Sequence, residues 1–123
     1  MRDRTPAVYI LTNQKGGALY TGVTADPLGR IAQHRAGSIP GFAARYRLKR
    51  LVHIEFFGDM ENAILREKQI KRWHRDWKIR LIEESNPEWR DLATDYGFDP
   101  LRGGSPIYPN RLAELGSASM VLR

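Results

Sequence analysis

The feature that most limits what this chain can fold into is a pair of short strand-like runs set around a turn. Ala-Val-Tyr-Ile-Leu-Thr at 7–12 and Ala-Leu-Tyr-Thr-Gly-Val at 18–23 are rich in β-branched and aromatic residues, which fit a pleated, half-buried surface. Between them stands Asn13-Gln14-Lys15-Gly16-Gly17, which is turn material. The two runs predict a β-hairpin whose register is not legible. Asp26-Pro27 then marks a helix start, with Asp26 as N-cap and Pro27 as first helical residue. That helix runs to about Ala36 and stops at Gly37. Residues 38–50 read as a basic loop or short helix, and Leu51–Phe57 as a third strand. A second helix starts near Met60 and ends near His74–Asp76. A third carries Trp77, Ile79, Leu81 and Ile82 and stops before Asn86-Pro87, because a residue preceding proline avoids the helical region.

The order β-β-α-β-α-α implies an α+β domain over residues 1–92: a three-stranded, mostly antiparallel sheet flanked by helices. Residues 93–123 have weak periodicity, several glycines and three prolines, and read as a C-terminal tail, partly ordered. Tyr96, Phe98 and Tyr108 are the tail's candidates for docking on the sheet. The chain has no cysteine, which excludes disulfides, cysteine-based zinc sites and a thiol nucleophile. No apolar run is long enough to span a membrane, and the first residues lack the apolar stretch of a secretory signal. A cytoplasmic location is the expectation.

Charge is unevenly spread. Residues 30–80 hold 13 basic and 5 acidic side chains, whereas 81–123 hold 4 and 7. The positive charge thus sits mid-chain, where it either attracts a polyanion by counterion release or forms a solvated face.

Alternation of side chains puts Tyr9 and Tyr20 on one sheet face, either as surface filling or as part of a site. Gly22 inside the second strand marks close approach by another group. Arg30 and His34, four apart, share a helix face near the end of that strand. Glu67 lies within the apolar stripe of its helix, about 40° round from Ala63 and about 60° from Ile70. A carboxylate there is either paired with a core arginine or bound to a metal, since an unpaired buried charge is costly. Lys68, Lys71, Arg72 and Arg75 lie on or near the other face and suit phosphate; Lys49 and Arg50, which close the basic loop, are further candidates for nucleic-acid binding. Asn86, before a proline, is ordinarily a turn residue. The three histidines, His34, His53 and His74, have no metal-like spacing, and neither a phosphate-binding glycine loop nor an H-E-x-x-H pattern is present.

Taken together these residues resemble the GIY-YIG nuclease superfamily, in its small single-domain bacterial branch. The likeness covers about residues 7–92. Its two name-giving motifs stand as Ala7-Val8-Tyr9 and Tyr20-Thr21-Gly22, with ten residues between them; Arg30 and His34 match the helix positions. Gly41-Phe42 with Arg45-Tyr46, the run Arg66–Trp73 around Glu67, and Asn86–Leu92 match the rest. The departures are Ala7, Val8 and Thr21, while the tyrosines and Gly22 remain.

The resemblance implies an endonuclease hydrolysing DNA phosphodiester bonds with one Mg²⁺ or Mn²⁺, structure-selective in repair or recombination. Glu67 would be the protein's ligand to the metal and Tyr9 the general base on water. Tyr20 would position that water and Arg30 would neutralise the transition state. His34 would bond the phosphate or assist the leaving group, with Asn86 anchoring the site. No second recognition domain is apparent, so specificity is for shape or is supplied by a protein partner. The competing readings are a non-catalytic nucleic-acid-binding module on the same fold and a fold relic serving protein interaction.

Overall fold

A computed structural model describes residues 5–101. The expected hairpin forms from β1 (Ala7–Thr12) and β2 (Leu19–Thr24), and β3 (Arg50–Phe56) pairs with the other side of β1. The sheet order is β2-β1-β3 and both pairings are antiparallel. Gly16 takes a left-handed φ of 75° in the hairpin turn, a conformation open to glycine at little cost. Arg75 clamps that turn from a distance, donating through Nη2 to the Gly16 and Gly17 carbonyls at 2.7 and 2.8 Å.

α1 (Pro27–Ala36) begins as read: Asp26 accepts from the Gly29 amide at 3.3 Å and Pro27 occupies the first turn. Gly37 closes it with φ 72°, its amide and that of Ser38 returning to His34 and Gln33. Within the basic loop lies one turn of helix, α2 (Phe42–Arg45). α3 (Met60–Arg72) stops earlier than its periodicity suggests and α4 (Arg75–Ser85) begins earlier, because Trp73 and His74 are extended. That break sets the Trp73 and Trp77 rings 5.8 Å apart, edge to face. No helix among the described residues is long and apolar enough to cross a membrane.

The sheet divides the core in two. Val8, Ile10 and Val52 meet Ala63 and Ile70 of α3 and Ile82 of α4 on one face. Tyr9, Leu11 and Leu51 meet Ile31 of α1 and Ala43 and Leu48 around α2 on the other. Val52 faces the first cluster because the β1–β3 register slips between Ile10 and Leu11, a bulge that no sequence pattern signals.

The domain boundary expected at residue 92 falls inside packed structure. A 3-10 helix spans Leu92–Tyr96, Ala93 is fully buried, and Phe98 packs on the second cluster. Arg35 ties the segment down by donating to Asp91 Oδ2 at 3.0 Å and to the Asp99 carbonyl. Burial of one small and one aromatic side chain outweighs the weak periodicity, which measures amphipathic helix and not docking. Tyr96 lies edge to face with Phe56, 6.2 Å between ring centres. Tyr108 lies outside the described residues.

Candidate active site

The hairpin register explains the first site residue. Tyr9 stands directly opposite Gly22. A Cβ at position 22 would lie 2.5 Å from both Cζ and Oη of Tyr9, so the phenol ring lies across the glycine in space that any other residue would fill. Leu11 stands opposite Tyr20, which puts Tyr20 diagonal to Tyr9 on the same face. The two rings are 6.3 Å apart. His34, projecting from α1, completes a triangle, 5.5 Å from the Tyr9 ring and 5.6 Å from that of Tyr20.

The Tyr9 hydroxyl and His34 Nε2 are 2.8 Å apart, with both side chains buried. Burial pushes the Tyr9 phenol well above its ordinary value of 10.0, and Tyr20 adds to the rise; the charge of Arg30 and a hydrogen bond from it oppose. Burial lowers the His34 pKa below 6.5, and the charge of Arg30 lowers it further. At neutral pH the bond therefore joins a protonated phenol to a neutral imidazole, and in the Nδ1–H tautomer Tyr9 donates and Nε2 accepts. This pairing ties His34 to the Tyr9 hydroxyl. Tyr9, Tyr20, Arg30 and His34 form one cluster on the α1 face of the sheet.

Glu67 is buried to 9% exposure on α3. Its partner is Lys71 one turn on, Nζ to Oε2 2.5 Å, and Lys71 is half exposed; the carboxylate is not spent on a core arginine. α3 lies against β2, the edge strand that carries Tyr20 and Gly22, and against β1. Ala63 and Ile70 of α3 pack on the sheet face opposite the Tyr9 ring. Among the described residues no three His, Cys, Asp or Glu side chains gather into a metal-ligating group.

The expected basic strip separates into two kinds. Lys68, Lys71 and Arg72 are exposed on α3. Arg75 is also exposed, but its guanidinium holds the hairpin turn. Arg50 is half-buried, reaching the Trp89 carbonyl at 3.5 Å, and its Nε is buried without a partner. Lys49 is half-buried and its carbonyl receives Arg35 at 3.2 Å.

Asn86 is structural in every bond it makes. Its Nδ2 donates to the Val52 carbonyl on the open side of β3 at 3.1 Å and to the Arg90 carbonyl at 2.9 Å, and its Oδ1 accepts from the Arg90 amide at 2.9 Å. A buried amide with all these groups satisfied avoids a desolvation cost and locks the chain after α4 to the sheet.

Two clusters escape sequence reading. Asp91 is buried and accepts from Arg35, from the Leu51 amide at 3.2 Å and from the Ala93 amide at 3.1 Å. On the α3 face of the sheet, Glu55 accepts from Arg66 Nε at 2.8 Å and Nη2 at 3.0 Å and contacts His53 Nε2 at 2.8 Å. Burial would raise the Glu55 pKa, but the hydrogen bonds and charges of His53 and Arg66 override it and hold it at about 2. The one available signal was the polar alternation His53, Glu55 in a strand expected to be apolar.

This hairpin, with two tyrosines on one face, a glycine beneath the first and an arginine and histidine on the following helix, defines a class. The GIY-YIG catalytic domain model matches residues 5–80, and the chain belongs to the GIY-YIG nuclease superfamily. Within it the chain is similar to small proteins named UPF0213. One from Staphylococcus haemolyticus is 39% identical over 77 residues, covering 63% of this chain and 93% of the relative. One from Syntrophus aciditrophicus is 36% identical over 85 residues, covering 66% and 92%. One from Haloquadratum walsbyi is 37% identical over 67 residues, covering 54% and 75%. No solved structure matches the chain.

Proposed function

We propose that the protein is a metal-dependent endonuclease that hydrolyses phosphodiester bonds in DNA. The observation that carries the reading is the buried Tyr9–His34 hydrogen bond beside Arg30. A protonated phenol held against a neutral imidazole, in the tautomer that leaves Nε2 bare, is arranged to move a proton. Surface packing alone would not require that acceptor.

The residues divide the work as follows. Tyr9 Oη accepts a proton from the attacking water as its own proton passes to His34 Nε2. The relay avoids forming a free phenolate, which burial disfavours. Tyr20 orients the water from the same face. Arg30 is positioned to neutralise the charge that grows on the phosphate oxygens. Glu67, on α3 against β2, would supply the protein's carboxylate to the metal. A buried carboxylate whose partner is an exposed lysine suits a hard divalent cation, Mg²⁺ or Mn²⁺, which takes few protein carboxylates and fills its remaining positions with water and phosphate oxygens. Such an ion supplies Lewis-acid polarisation of the phosphate. Lys68, Lys71 and Arg72 track the backbone of the substrate, while Arg50 and Arg75 act mainly within the fold. Structure selectivity in repair or recombination, with a protein partner supplying further specificity, is part of this reading.

The test is purified protein with branched, flapped, single-stranded and duplex DNA, with and without Mg²⁺ or Mn²⁺. Cleavage that needs the ion is the expected result. Salt-sensitive binding without cleavage under any ion would instead favour a nucleic-acid-binding module.

A further inference from the structure

The turn of helix α2 and the loop after it are built in a way that the active-site reading does not use. Phe42 is 48% exposed and Tyr46 is 37% exposed. Their rings touch, centroids 4.8 Å apart and tilted 48°, and the Arg45 guanidinium lies 5.8 Å from the Tyr46 centroid. Ala43 and Leu48, by contrast, are buried in the cluster that contains Tyr9. The same short segment therefore plugs two side chains into the core on the Tyr9 face and holds two aromatics out to solvent.

Two further observations concern charge. Residues 38–50 contain Arg45, Arg47, Lys49 and Arg50 and no acidic side chain. Arg47 also has a left-handed φ of 58°. Its amide returns to Ala44 and that of Leu48 to Ala43, the closing pattern of a helix end at which glycine is usual. A glycine here would relieve strain, and an arginine holds an exposed cation beside the aromatic pair at the expense of that strain.

We propose that Phe42 and Tyr46, flanked by Arg45 and Arg47, form a stacking platform for an unpaired nucleobase of the nucleic-acid strand. Exposed aromatic faces take any base, and the neighbouring guanidiniums hold its phosphates. Charge complementarity selects this occupant: residues 38–50 carry four basic side chains and no acidic one, the balance that suits a polyanionic strand. The inference deepens the nuclease reading, since the platform shares the sheet face of Tyr9 and names an unpaired nucleotide near the scissile bond as the feature recognised.

The experiment measures binding without metal, so it does not depend on cleavage. Fluorescently labelled single-stranded DNA, an abasic strand of equal length and a fully paired duplex are titrated with the wild type, Phe42→Ala, Phe42→Leu and Phe42→Trp. Phe42→Ala and Phe42→Leu are expected to weaken binding to the base-bearing strand about tenfold, with little change on the abasic strand or duplex. Phe42→Trp should restore it. Arg47→Gly should weaken all three ligands while raising Tm. Equal loss on base-bearing and abasic strands, or no loss, overturns the platform, as does a concentration-dependent dimer abolished by Phe42→Ala. Phe42 is half exposed, so these variants should fold, and a melting curve for each establishes it. Stacking without any metal-dependent cleavage would leave the platform standing and remove the nuclease reading. Cleavage with no Phe42 effect would do the reverse.

Discussion

The Tyr9 hydroxyl and His34 Nε2 are joined at 2.8 Å across 25 positions of chain, from the middle of the central strand to the last turn of the first helix. A proton acceptor placed behind a buried phenol is what the proposed relay needs, and it makes the mechanism sensitive to the state of the imidazole.

His34→Ala is expected to slow cleavage about 10²- to 10⁴-fold while leaving DNA affinity nearly unchanged. The wild-type rate should also fall on the acid side. The folded His34 pKa lies below 6.5, so the imidazole stays neutral at pH 7 and loses its acceptor role only as pH drops through that lowered value. A pH–rate profile of single-turnover cleavage reads the limb directly; an identical acid limb in His34→Ala would assign it to another group.

Gly22→Ala should damage both activity and stability. The added methyl would sit 2.5 Å from the Tyr9 ring, and relieving such a clash in a packed interior costs about 1–3 kcal/mol. Thermal melting and cleavage should decline together. Unaltered cleavage would mean that the phenol need not lie where it does.

Glu67→Gln is expected to abolish metal-dependent cleavage and to keep DNA binding, or improve it slightly. The change preserves size and removes a negative charge from a basic surrounding that includes Lys71. Arg30→Ala should reduce cleavage and binding alike, since a cation beside the phosphate acts in ground and transition states. Wild-type rates in Glu67→Gln at the same Mg²⁺ concentration would remove the carboxylate from the chemistry.

Glu55 should set part of the acid stability. Its folded pKa of about 2 lies below the ordinary 4.5, so its contribution is fully present above the unfolded value and is lost as pH falls from about 4.5 through about 2. The group is partly exposed, which limits the effect to on the order of 1–2 kcal/mol. In Glu55→Gln the difference in unfolding free energy from wild type should be largest near neutrality and shrink toward pH 2 in denaturant titrations.

Truncation separates two parts of the C-terminal region. Ending the chain after Leu101 should leave a cooperatively folding domain. Ending it after Leu92 removes buried Ala93 and the Phe98 contact and leaves Arg35 without the Asp99 carbonyl. Asp91→Ala should destabilise by about 3 kcal/mol through loss of a buried ion pair and two amide bonds. Equal melting temperatures for the two truncations would show that the segment only rests on the surface.

Local chemistry carried the elements. β-Branched runs around a glycine turn, Asp26-Pro27 and Gly37 at the ends of α1, and the apolar stripe of α3 each depend on neighbours within a few residues, so the order of strands and helices, the α+β class and the shared face of Tyr9 and Tyr20 were all legible in the chain. What tertiary structure decided were pairings between segments far apart in sequence. Register alone set Tyr9 over Gly22. Packing of α1 on the sheet turned His34 inward to the phenol. Arg75 had the composition of a phosphate ligand but was taken by two turn carbonyls 58 and 59 positions away. Residues 93–98 showed little periodicity, yet Ala93 and Phe98, next to Asp91, found partners in the core beside β3 and α1. A charged side chain in a sequence does not reveal which unsatisfied carbonyl or amide will lie within 3 Å of it. Closure of the whole fold makes that choice, because every buried polar group must find its partner at once.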